Sequence, residues 1–208
     1  DAGGAHGSNR LGGNGVANST VYGGIAGDVM AADAQKMGAL HDPDETILDQ
    51  ELARAIIPFS AKPGNVQELR VRLMDAMWDD VGVMRDAAGL KHGIEKIASL
   101  KTDMENVGVS GDNLAFNLSW HDWLSLQSLI DTSEVIAKAG LSRENSRGAH
   151  FREDFPDAGS LDDSYFTIAT SGDKGIEVSR EAVKFTIVKP GESLLGADEA
   201  ETLVEAAQ

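Results

Sequence analysis

The chain has 208 residues, 41% hydrophobic and 25% charged, a balance that suits a soluble fold with a real core. Its 34 acidic and 18 basic residues leave a net charge of −16, which argues against a nucleic-acid surface, because that needs clustered lysine and arginine to displace counterions. The absence of cysteine rules out a disulfide, a thiolate metal ligand, cysteine-held iron–sulfur or a thiol nucleophile within these residues. No apolar run approaches the roughly 20 residues of a bilayer span, so no direct membrane insertion is expected.

The first notable stretch is "AHGSNRLGGNG", residues 5–15. It leads into "VANSTVYGGIAGDVMAADA", which reads as a helix whose small residues allow close backbone approach. Residues 33–65 read as irregular, punctuated by "HDPDET" and "SAKPGN". Three amphipathic stretches follow. The first, "VQELRVRLMDAMWDDVGVM", places Leu69, Leu73, Met77 and Val81 at helical spacing. The second, "DAAGLKHGIEKIASLKTDM", does the same with Leu90, Ile94, Ile97 and Leu100 or Lys101. The third, "SWHDWLSLQSLIDTSEVIAKAGL", carries Trp120, Trp123, Leu124, Leu126, Ile130 and Ile136. With short polar connections they predict an antiparallel three-helix bundle, with Trp78, Trp120 and Trp123 in its core.

The tail changes period. "SYFTIATSGDKGIEVSREAVKFTIV" holds β-rich runs separated by Gly and Asp and predicts a hairpin or small sheet, stopped by "VKPGESLL". The final "ADEAETLVEAAQ" reads as an acidic helix or frayed end. The fold class is therefore mainly α with a small β element.

Chemistry concentrates in the opening stretch. A glycine-rich loop running into a helix presents backbone N–H groups at the positive end of a helix dipole, a place that favours an anion. Arg10 adds a planar fork of donors suited to a carboxylate, and His6 can donate a hydrogen bond or carry a proton. The same pattern also describes an ordinary turn. His41, His92 and His121 lack metal-ligand spacing, so no metal is expected.

"HGSNRLGGNG", His6 to Gly15, resembles the H-G-x-N-R-L-G-G-N-S-L motif of the succinate dehydrogenase and fumarate reductase flavoprotein family. Three later stretches agree in order. "SRENSRGAHFREDFPD", Ser142 to Asp157, is similar to the family's E-S-R-G-A-H-x-R-E-D-F-P segment. "VGVMRDAAGLKHGIEKI" fits its helical pattern, and "VKFTIVKPGESLL" looks like its closing strand and V-K-P-G-x-x-L.

The resemblance implies an FAD-dependent oxidoreductase of electron transport that interconverts succinate and fumarate, or a related dicarboxylate, by hydride transfer to or from flavin N5. It implies that Arg10 binds a substrate carboxylate with His6 adjacent. Asn14, Gly15 and Val16 would be the cofactor-binding set, with the amides of Gly15 and Val16 near the flavin's pyrimidine edge. Two departures stand out: Gly15 replaces the family serine, and Asn145 replaces its usual glutamate.

The resemblance also implies a carboxy-terminal part of a longer flavoprotein. Residues 1–62 would be the edge of the FAD-binding domain and a connector, 63–157 the helical bundle, and 158–208 a β-containing tail. The dinucleotide-binding and capping domains, and the proton-transferring residue, would lie upstream, so no catalytic residue is assigned here and the isolated chain is expected to be inactive. Expected partners are the dicarboxylate, those upstream domains and an iron–sulfur subunit. The expected location is cytoplasmic, peripheral on the inner face of the cytoplasmic membrane through partner subunits.

Two other readings stand beside this one. The chain could be a helical interaction module with a relic loop, or belong to an L-aspartate oxidase-like enzyme. The latter usually reads A-S-N where Gly12-Gly13-Asn14 stands, and R-G-L-H where Arg147-Gly148-Ala149-His150 stands. Within "RGAHFRED", Arg147, His150, Arg152, Glu153 and Asp154 are read as a buried ion-pair corner that joins the bundle to the flavin domain, rather than as a catalytic set.

Overall fold

A computed structural model of the protein describes residues 6–7, 12–39, 41–172 and 175–192. Helix α1 spans Gly12–Met37 and α2 spans Glu45–Ile56, followed by a 3-10 turn at Ile57–Phe59. Helix α3 covers Val66–Asp79, strand β1 Met84–Arg85, α4 Ala87–Glu105 and α5 Leu118–Ser142. Strand β2, Phe151–Arg152, pairs in parallel with β1. After a short 3-10 turn at Leu161–Asp163, β3 (Tyr165–Gly172) and β4 (Gly175–Ala182) form an antiparallel hairpin.

Four helix starts share one chemical device. Asp44, Asn65, Asp86 and Asn117 each accept a hydrogen bond from a first-turn amide, at 2.9, 3.1, 2.6 and 3.0 Å respectively. Each satisfies an N–H that the helix itself cannot, a cap that contributes about 1 kcal/mol. The residues of "HDPDET", expected as irregular, thus become the start of α2. The helix was hidden because its one apolar stripe finds no cover: Ile47, Leu48, Leu52 and Ile56 are all exposed.

The bundle is α3, α4 and α5, and its core joins Leu69 and Leu73 to Leu90, Ile97, Leu100, Met104, Trp123, Leu126 and Ile130. Each fully buried aliphatic side chain contributes about 1.5–3 kcal/mol through apolar burial. Trp120 is half-buried, packs edge-on against Phe59 and donates to Ala55 O at 2.7 Å, while buried Trp123 donates to Val107 O at 2.8 Å. Trp78, expected in the core, is instead 78% exposed, because buried Ala76 takes the inward position one turn after Leu73. Ile136 is also exposed, displaced by buried Ser133 and Ala137 on either side of it in α5.

Charged groups tie α4 to α5 at the rim. Lys101 pairs with Asp131 at 2.8 Å and with Glu134, and Lys138 pairs with Glu134 at 2.5 Å. Lys138 also donates to Ile176 O at 3.1 Å, which helps dock the hairpin onto α5. The expected closing strand within "VKFTIVKPG" is not formed. Val183 N–H makes one backbone bond to Ser164 O at 2.9 Å, and the following described residues carry no strand pairing.

No described residue of α1 is buried. Its apolar side chains, among them Val16, Val21, Tyr22, Ile25 and Val29, are all more than half exposed.

Candidate functional site

The glycine-rich stretch enters α1 as its sequence suggests. His6 and Gly7 form a turn, with Gly7 at φ +56°, a conformation that a side chain would strain. The His6 ring lies 2.9 Å from Asn18 Nδ2 through its Nε2. An amide nitrogen can only donate, so Nε2 is the acceptor and the turn is pinned to the second turn of the helix. Arg10 lies outside the described residues.

Asn14, Gly15 and Val16 fall in the first turns of α1. A Cβ added at Gly12 or Gly13 would meet nothing within 4 Å, so the helix start is open to an approaching group. Gly15, Val16, Ser19 and Thr20 line a shallow depression of about 410 Å³ beside it. The exposed amides and dipole of a helix start favour negative charge there.

The second cluster sits at the end of the bundle where α5 stops and α4 starts. Parallel pairing of Arg85 with Arg152 brings the end of α3, the start of α4 and the end of α5 to one joint. Arg152 is 1% exposed and donates from Nη1 to the carbonyls of Gly140, Leu141 and Arg143 at 2.9, 3.1 and 3.1 Å. These are orphan acceptors of the last turn of α5, where a cation is favoured. Its other nitrogens grip both oxygens of Asp154 at 2.7 Å, and Asp154 Oδ2 in turn accepts from Ala87 N–H at 3.0 Å. The Arg152 hydrogen bond holds the Asp154 carboxyl down at about 2.

His150, buried, lies between Arg85 Nη1 at 2.9 Å from Nδ1 and Arg143 O at 3.4 Å from Nε2. Burial pushes its imidazole below the ordinary range; the Arg143 carbonyl opposes this, while the charges of Arg85, Arg143 and Arg152 add to it. Arg147 donates to Ala158 O, Ser160 O and Ser164 Oγ at 2.6, 2.5 and 2.9 Å, and Glu153 is exposed. Arg143 and Arg180 each lie over the ring of Tyr165 in β3, at 4.6 and 4.8 Å from its centre.

The sequence reading makes Arg147, His150, Arg152, Glu153 and Asp154 a buried ion-pair corner facing the flavin domain. Among the described residues only Arg152 and Asp154 of this set form an ion pair, while Arg147 meets two carbonyls and a hydroxyl, His150 meets Arg85 and a carbonyl, and Glu153 is exposed. The reading missed Arg85, whose signal was an arginine between an apolar run and the cap residue Asp86. It also missed Asn18, which only the folded turn brings to His6.

The bundle with its hairpin is shared with solved flavoprotein subunits. A Mycobacterium smegmatis Sdh1 complex in the apo form contains a chain that superposes with TM-score 0.75 and 31% identity, covering 96% of this chain and 34% of that one. The fold is that of part of a flavoprotein oxidoreductase. A family model described as fumarate reductase flavoprotein C-term matches residues 70–194. The chain belongs to the succinate dehydrogenase/fumarate reductase flavoprotein family.

Among relatives, an uncharacterized FAD-dependent oxidoreductase of Methanocaldococcus jannaschii is 34% identical over 157 residues, 74% of this chain and 28% of the relative. A subunit of the fumarate reductase (CoM/CoB) of Methanothermobacter marburgensis is 33% identical over 158 residues, 75% of this chain and 28% of the relative. The chain thus spans less than a third of the length of these two relatives.

Proposed function

We propose that this chain is the carboxy-terminal part of an FAD-dependent oxidoreductase that interconverts succinate and fumarate, or a closely related dicarboxylate. What carries the reading is a helix that begins at Gly12, two residues after Arg10, within a chain of this family. Residues 1–62 contribute the edge of the FAD-binding domain and a connector, 63–157 the helical domain, and 158–208 the tail.

The residues at the start of α1 fit a flavin. Space above Gly12 and Gly13 is open, and the dipole end suits the negative charge that a reduced ring gathers. Asn14, Gly15 and Val16 would line that edge. When bound, FAD supplies the hydride acceptor or donor at N5. Arg10 holds one substrate carboxylate through paired N–H donors, which fixes the reacting carbons and keeps the diacid from rotating. His6, pinned by Asn18, holds the turn that precedes Arg10. Proton transfer and the second carboxylate contact belong to residues outside this chain.

Relatives from Methanothermobacter marburgensis and Haemophilus influenzae are each one subunit of a fumarate reductase, which supports assembly with other subunits. An iron–sulfur subunit is one partner of this kind that would carry the electrons to or from the flavin. Among the described residues no helix is long and apolar enough to cross a membrane; peripheral attachment through partner subunits on the cytoplasmic face is part of this reading.

The test is Arg10→Ala in the full-length flavoprotein. Turnover is expected to vanish while bound flavin stays at wild-type stoichiometry, and wild-type turnover would refute the assignment. The isolated 208 residues are expected neither to hold FAD tightly nor to oxidise succinate, checked by the flavin absorbance of the purified chain.

A further inference from the structure

We propose that His150 is an acid-sensitive latch: its neutral ring joins Arg85 of β1 to the end of α5, and protonation breaks that contact and loosens residues 143–157. A guanidinium only donates, so the 2.9 Å contact from Arg85 Nη1 requires an unprotonated Nδ1. The ring proton then sits on Nε2, which faces the carbonyl of Arg143 at 3.4 Å. Both ring nitrogens are accounted for only in the neutral Nε2–H form.

Protonation would turn Nδ1 into a donor aimed at a donor. It would also set a new positive charge among three others. From β1, Arg85 faces the ring; from the end of α5, Arg143; from β2, Arg152. The carboxylate of the joint, Asp154, is already gripped by Arg152 and Ala87 N–H, and Glu144 and Glu153 are exposed. Arg147 is turned to Ala158, Ser160 and Ser164. Arg85 is held on its other side by Val81 O at 2.9 Å and Gly82 O at 2.8 Å, so it cannot simply follow the ring outward.

The backbone held by this latch is specific. Glu153 N–H donates to Arg85 O at 2.7 Å, and Arg147 and His150 exchange backbone bonds at 2.9 and 3.0 Å. Because the folded ring resists the proton and the opened ring takes it near the ordinary histidine value of about 6.5, acid favours opening from that pH downward. Asp154 keeps its charge throughout this range, which leaves His150 as the titrating member of the joint.

The test combines two measurements on the 208-residue chain. Long-range ¹⁵N–¹H correlation of the imidazoles is expected to show His150 as the Nε2–H tautomer at neutral pH. Amide exchange is expected to show protection at Arg147, His150 and Glu153 falling about tenfold or more between pH 7 and 5, while Ile97 in mid-α4 changes much less. In His150→Asn, which retains a short acceptor without a titrating ring, the selective fall should disappear. An Nδ1–H tautomer or a charged ring at neutral pH would overturn the proposal. So would wild-type protection that ignores pH, or a fall that persists in the variant. Should that variant not fold, the wild-type tautomer and titration decide the question alone.

Discussion

Arg152 and Asp154, two residues apart in sequence, form a two-pronged ion pair whose cationic half is buried and whose anionic half reaches the start of another helix. Nε and Nη2 each lie 2.7 Å from a carboxylate oxygen, while Nη1 satisfies three carbonyls at the end of α5. Asp154 completes the chain of contacts at Ala87, the first residue of α4. One planar group therefore joins the ends of two helices.

Replacing it should be expensive. Arg152→Met would leave the carbonyls of Gly140 and Leu141 without this donor and the Asp154 carboxylate with Ala87 N–H but no guanidinium, a loss of about 3–5 kcal/mol. Arg152→Lys should recover only a minor part, because one compact ammonium cannot serve the carbonyls and both carboxylate oxygens together. Urea unfolding of the chain followed by circular dichroism reads both values. A loss below about 1 kcal/mol for Met would show that the joint is not under load.

The same pair sets an acid limit. The Asp154 carboxyl sits at about 2 against an ordinary value of 3.8, first because Arg152 bonds its charged form. Its folded value lies below its unfolded one, so its stabilisation is fully present above about pH 4 and is lost as pH falls through about 2. Carbon-13 carboxyl titration should find Asp154 ionised at pH 3, where exposed aspartates are mostly protonated. In Arg152→Lys its midpoint should move upward.

The three tryptophans separate by burial. Trp123→Ala should cost about 3–5 kcal/mol, and Trp123→Phe about 1–2 kcal/mol, the latter chiefly by leaving Val107 O without its donor. Trp78→Ala should change stability by less than about 0.5 kcal/mol, since its side chain lies in solvent. Thermal melts of the three variants check the order, and equal losses at Trp78 and Trp123 would contradict the packing described.

These residues also show how far the sequence could be read. Leu69, Leu73, Leu90, Ile97 and Leu100 were legible because a single apolar stripe at helical spacing leaves them one place to go. For Trp78 size points to the core but angle decides: it lies two positions past Ala76, on the opposite side of α3 from the buried row. Helix α2 was missed because apolar cover, the usual signal of a helix, is absent there, and its cap at Asp44 resembles turn punctuation.

The joint was legible only in composition. Arg85 and His150 stand 65 residues apart, and nothing local announces that β1 and β2 will pair in parallel. The candidate flavin edge was legible through motif order alone. Of its expected residues, the structure adds the His6–Asn18 contact and the helix start at Gly12, while Arg10 lies outside the described residues.

Two glycines should respond to alanine in opposite directions. Gly108 donates to Lys62 O at 2.8 Å and accepts from Gly64 N–H at 3.1 Å, lacing the segment after the 3-10 turn to the loop between α4 and α5. A Cβ there would drive into Ala61 O and stand 2.7 Å from Pro58 O, both backbone atoms of a segment held by those same bonds. Neither side can yield without breaking the lacing, so Gly108→Ala should cost about 3 kcal/mol. Gly24 lies within α1 with nothing within 4 Å of an added Cβ. There alanine removes only the backbone freedom of glycine and should raise the stability of that helix by about 0.5–1 kcal/mol. Chemical denaturation reads the first as a shift in midpoint; helical ellipticity at low denaturant reads the second. A stable Gly108→Ala protein would mean that the close approach of residues 58–64 to residue 108 does not exist in solution.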